Sequence, residues 1–215
     1  SLLVRLGRYD RALELLRGHH FHTWEGGGEI HGVYAAACRQ RGDSHLRRKD
    51  FKRALADFQA ALEYPDNLEV GRPLDGGPAC EAYYLIGMAY KGMGDKPKAA
   101  EYFEKALERR QPPSELLWAQ GMSLRELGRD AEAAAAFKAL LDAGNRQLNP
   151  DPENAFFAKF GHRATREGTL ADAHYLIGLG LTGQGDTAGA KVEFTKALEL
   201  DLTHTGAAWQ LARLK

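Results

Sequence analysis

The densest group of side chains able to do chemistry lies between residues 19 and 31, where His19, His20 and His22 precede Glu25, Glu29 and His31 among three glycines. Imidazoles and a carboxylate in a glycine-rich loop could ligate a transition metal. Adjacent histidines in one loop rarely point at one centre without ligands from elsewhere, and Trp24 could anchor the loop by packing, so a structural or solvent-facing role is the expectation, with no metal and no cofactor. Gly178, Gly180 and Gly183 fit the G-x-G-x-x-G spacing of a dinucleotide site. That site needs a preceding strand and a βαβ unit, whereas these glycines fall in a helical segment, so the match is read as coincidence. H-E-x-x-H, G-x-S-x-G and G-x-x-x-x-G-K are absent from the sequence, and no catalytic residue is expected. Cys38 and Cys80 lack a C-x-x-C spacing; burial or a reducing compartment explains them, and the cytoplasm is the favoured location.

The elements that must position these residues are repetitive. A small residue recurs as Ala12, Ala54, Ala99, Ala133 and Ala190, at gaps of 42, 45, 34 and 57. Four residues beyond it stand Leu16, Phe58, Phe103, Phe137 and Phe194, on the same face of a helix. Twelve residues before it, from the second unit on, stand Gly42, Gly87, Gly121 and Gly178, where a missing side chain lets two backbones approach. The cleanest unit reads Tyr83, Ile86, Gly87, Tyr90, then Ala99, Phe103 and Ala106. This signature resembles the tetratricopeptide repeat, a helix pair of about 34 residues. The resemblance implies an all-α fold, a right-handed solenoid of antiparallel helix pairs with inter-repeat insertions. Only one gap equals a bare repeat, and the others leave insertions of 8, 11 and 23 residues.

The resulting map is a single solenoid domain over 1–215, with a partial repeat 1–18, a loop 19–29, a repeat 30–64, a loop 65–78, repeats 79–112 and 113–144, an insertion 145–168, a repeat 169–202 and a capping helix 203–215. Leu2–Leu6 reads as the end of a first helix whose start is missing, so a longer protein is expected to continue upstream. Asp50, Asp95 and Asp186 are placed as N-caps of second helices. Pro65 and the pair Pro112 and Pro113 are placed as terminators of the second helices before them. Phe156, Phe157 and Phe160 are assigned to a short helix packed on the stack.

A solenoid offers an extended concave face, which makes binding the expected function and catalysis the unexpected one. With the helix-A glycine as position 8, position 5 of the last three units is Tyr84, Trp118 and Tyr175, and position 9 is Met88, Met122 and Leu179. By the resemblance these six line the groove, which is expected to be apolar and suited to a peptide segment or a neighbouring domain. Repeats of this family that clamp a C-terminal carboxylate use Lys at position 5 and Asn at position 9, whereas this chain has Arg39 and Asp43, then Tyr84 and Met88. That clamp is absent. Lys plus Arg balance Asp plus Glu at 29 each, which disfavours nucleic acid, and no apolar run reaches the roughly 18 residues of a spanning helix. The strings HHFHTWEGG, ALEYPDNLEVGRP and FFAKFG also resemble the C-terminal region of bacterial proteins with a large N-terminal domain of unknown function. That narrower likeness implies an alternative role as the helical accessory region of a carbohydrate-active enzyme, with an upstream domain of the same chain as a partner.

Overall fold

Glycine against phenylalanine is the contact that sets the four helix pairs after the first. A Cβ built on Gly42, Gly121 or Gly178 would lie 2.5 Å from a ring carbon of Phe58, Phe137 or Phe194, and Gly87 is pressed as closely by Phe103. The four rings are 0–3% exposed. The structure is a computed structural model and describes residues 2–22, 29–73, 79–109, 111–149 and 166–214. Every regular element among them is helical: α1 (Leu2–Arg5), α2 (Tyr9–Gly18), α3 (Glu29–Arg47), α4 (Phe51–Ala60), α5 (Cys80–Gly92), α6 (Lys96–Lys105), α7 (Glu115–Glu126), α8 (Asp130–Leu148), α9 (Arg166–Gln184), α10 (Thr187–Leu200) and α11 (Thr205–Arg213), with a single 3-10 turn at Asp66–Leu68.

The helices group into two units, 1–109 and 110–215. In the first, consecutive helices pack from α1 to α6, and the leading helices α1, α3 and α5 also touch in series. In the second, α7 to α11 pack in the same consecutive way, and α7 also touches α9. Each chain reversal inside a pair turns on a residue with positive φ: Gly7, Lys49, Gly94, Gly128 and Gly185, at 63–86°. At Gly94 the turn closes with N–H groups of Gly94 and Asp95 donating to Lys91 and Tyr90 carbonyls, the hydrogen-bonded stop that favours a residue without Cβ. The Asp caps take up free helix N–H groups as expected: Asp50 accepts from Arg53, Asp95 from Lys98 and Asp186 from Gly189, at 2.9–3.2 Å.

Several boundaries differ from the sequence reading. Helix α4 ends at Ala60 and α6 at Lys105, before the prolines assigned to stop them. Both wind down through i→i+3 bonds, Leu62 to Gln59 and Leu107 to Glu104, so tightening of the last turn ends the helix first. Pro112 and Pro113 instead precede Ser114, whose Oγ caps α7. Helices α8 and α9 run into both ends of the segment 145–168 read as an insertion. Gly144 and Gly180 permit this: a Cβ on the first would meet the Ala173 carbonyl, and one on the second would meet Leu141. Phe156, Phe157 and Phe160 lie outside the described residues, as do Trp24 and Glu25.

Candidate functional site

The six residues expected to line a groove sit on the leading helices α5, α7 and α9, but most are core. Tyr84 is 2% exposed, Trp118 2%, Tyr175 7% and Leu179 0%. Met88 and Met122 are half-buried. Large aromatic surfaces gain most from leaving water, and here each finds an internal partner. Tyr84 lies 6.2 Å from the Phe103 ring. Tyr175 lies 5.9 Å from Phe194 and 4.6 Å from the His204 imidazole at the cap of α11. Gly206 of α11 backs onto the Tyr175 ring so closely that a Cβ there would sit 2.8 Å from it. The Arg213 guanidinium lies 5.3 Å from the Trp118 ring and 5.1 Å from Trp209, a cation between two indoles. An open aromatic groove is therefore corrected for the second unit: its own last helix covers Tyr175, and Arg213 covers Trp118.

The dinucleotide-like glycines have a mechanical explanation. Gly178 receives Phe194, Gly180 receives Leu141 and Gly183 receives Phe137, so all three make room for neighbouring helices. Arg125 places its guanidinium 4.9 Å from the Phe137 ring and donates to the Gly183 carbonyl.

Charge is balanced over the chain but not over its surface. Near the turn between α1 and α2, Arg8, Arg11, Arg41, His45 and Arg48 line a cleft of about 490 Å³ together with Asp10. Arg41 donates two hydrogen bonds to the buried Asp57, at 2.9 and 2.6 Å, and a third to Asp10 at 2.8 Å. The Asp57 hydrogen bond, against the penalty of burial, holds the Arg41 pKa above its ordinary value. On α3 and α5 the ion pair Arg39–Glu81, at 2.9 Å, fills position 5 of the second repeat. Burial pushes the Cys38 thiol to about 11 and Cys80 to about 12, so neither offers a thiolate near neutrality. In the second unit Glu193 lies 2.6 Å from His174 Nδ1 and 2.7 Å from Lys196 Nζ. Burial opposes its ionisation, but these bonds outweigh it and hold its pKa below the ordinary glutamate value.

Among the described residues one group of three could hold a metal ion: His20, His22 and Glu69, with ligand atoms all within 4.8 Å of one another. Glu69 is 49 residues from His20, and nothing in the sequence spacing points to it. His19 does not join them; its Nδ1 lies 3.2 Å from the Leu15 carbonyl. His31 is also occupied, stacked on Tyr64 at 3.7 Å and bonded to the Glu63 carbonyl.

Comparison with known proteins bears on the repeats. Residues 84–147 and 171–204 each match a tetratricopeptide repeat family. Two solved structures are similar at 20% identity: a MamA RS-1 double mutant, covering 84% of this chain and 83% of that one with a TM-score of 0.32, and YrrB, described as a TPR protein with an unusual peptide-binding site, covering 96% and 84% with a TM-score of 0.33. At those scores the likeness adds nothing to what the repeats show. No helix among the described residues is long and apolar enough to cross a membrane. With glycine–phenylalanine interlocks at the expected spacing in four helix pairs and family matches over residues 84–147 and 171–204, the chain carries tetratricopeptide repeats.

Proposed function

We propose that the chain is a non-catalytic protein-interaction scaffold that receives a peptide segment or a neighbouring domain on the leading-helix faces of its units. The observation that carries this reading is the partial exposure of Met88 and Met122, each one helical turn beyond a buried aromatic, Tyr84 and Trp118. Residues four apart share a helix face, so each thioether sits at the rim of a rigid aromatic floor. Thioethers adapt to varied apolar shapes, and a fixed floor lowers the ordering cost of binding. The aromatic rings themselves then act as supports, with the methionines making the contact.

Selection from a displayed peptide library on the immobilised chain tests this. Enriched peptides are expected to share an apolar pattern and to bind about tenfold or more weakly to Met88→Lys or Met122→Lys, a loss of one buried side chain's worth of contact. Unchanged far-UV circular dichroism and melting would show that the fold survives. Failure to enrich any peptide, or equal affinity for both variants and the parent, would overturn the reading.

A further inference from the structure

We propose that His20, His22 and Glu69 form a binding site for a divalent transition cation of the zinc class, an inference independent of the scaffold reading. The site is assembled by two segments distant in the chain. After α2 the backbone becomes extended, with His19 at φ −116° and ψ 145°. Successive side chains of an extended segment point to opposite sides, and Phe21 is the inward one: its ring packs on the buried core formed by residues such as Leu13, Tyr34 and Leu68. That leaves His20 and His22 side by side on the outer face, ring centroids 4.9 Å apart.

The second segment is the 3-10 turn Asp66–Leu68 and the residue after it. Asn67 ties the two segments together from both sides. Its carbonyl accepts from Phe21 N–H at 2.8 Å, and its side-chain amide donates to the carbonyls of Leu16 and His19 at 2.8 and 2.6 Å. Leu68, fully buried, pins the turn beneath. Glu69 then adopts the left-handed conformation, φ 50° and ψ 26°, which carries its carboxylate to both imidazoles. Its Oε1 lies 2.6 Å from His20 Nε2 and 3.3 Å from His22 Nδ1.

Around a tetrahedral zinc with bonds of about 2.0–2.1 Å, ligand atoms stand about 3.3 Å apart. The three donors need adjustments of at most about 1.5 Å in exposed side chains to reach that spacing. Two imidazoles and one carboxylate suit zinc, nickel, copper or cobalt, whereas calcium and magnesium prefer oxygen alone. The side chains are 55%, 73% and 37% exposed, so water or a partner's ligand completes the coordination. A bound cation would cross-link the segment after α2 to the segment after α4 and stiffen that end of the first unit.

Isothermal titration of the tag-free, chelator-treated chain with zinc chloride tests the site, with magnesium chloride as control. One zinc per chain is expected, with a rise in melting temperature. His20→Ala and His22→Ala should each weaken binding by about 100-fold or more and Glu69→Gln by at least about tenfold, since even outer partners of a metal ligand are worth ~10–100-fold. Asn67→Ala should weaken it by about tenfold, and His19→Ala should leave it unchanged. The metal-free melting temperatures of the histidine variants, whose side chains are exposed, verify folding. No zinc binding, equal binding of magnesium, or a zinc affinity insensitive to His20→Ala and His22→Ala would overturn the proposal and leave an ordinary histidine–glutamate ion pair.

Discussion

Gly87 and Phe103 show how much structure rests on the absence of one methyl group. The ring occupies the place of the missing Cβ and is 3% exposed, so Gly87→Ala must push it into a close-packed interior. Overpacking of that kind destabilises by about 1–3 kcal/mol. Urea unfolding should show a loss in that range, and adding Phe103→Leu should recover part of it; a neutral Gly87→Ala would contradict the interlock. Glu193 gives a prediction in pH. Its carboxyl has a depressed pKa in the folded chain, so its contribution is fully present above the unfolded value of about 4.3 and is lost as pH falls through the folded value. Glu193→Gln should therefore destabilise at neutral pH, with the difference from the parent shrinking as pH falls through the folded value. A difference that stays constant or grows on acidification would exclude the hydrogen-bonded carboxylate as its source.

The turns between paired helices follow one rule with one exception. Gly7, Gly94, Gly128 and Gly185 have φ of 69–86°, whereas the α3–α4 turn places Lys49 there at 63°. A left-handed conformation costs an L-residue roughly 1–2 kcal/mol, partly offset by the extra freedom glycine has when unfolded. Lys49→Gly should stabilise the chain by about 0.5–1 kcal/mol in chemical denaturation, and a destabilising result would mean that the lysine side chain makes a compensating contact. The elements also show why parts of the fold were legible in sequence. Asp50, Asp95 and Asp186 act within three residues of themselves, and the Gly–Ala–Phe spacing repeats in the four pairs after the first, so both leave local, periodic marks. The ends of α8 and α9 do not: Gly144, Gly180 and Gly183 look like breakers or a nucleotide motif until the partner helix that fills each one is seen.

Across the whole chain, the features that escaped the sequence are those made by residues far apart. The side chain of Arg213 reaches Trp118, and Glu69 reaches His20 and His22; neither contact has a period or a fixed spacing to announce it. The expectation of an open aromatic groove fails in the second unit for the same reason, because position along a repeat fixes which face a residue occupies but not whether another helix covers that face. Tyr175 meets α11 in just this way. On the proposed reading, the contact surface in each unit is the partly exposed methionine beside a buried aromatic. Amide hydrogen exchange on the chain with and without a library-selected peptide tests that claim most directly. The account predicts slowed exchange centred on Tyr84–Met88 of α5 or Trp118–Met122 of α7, abolished by the corresponding Met→Lys change. Protection confined to the trailing helices α4, α6, α8 and α10, with the two methionine faces unaltered, would contradict it.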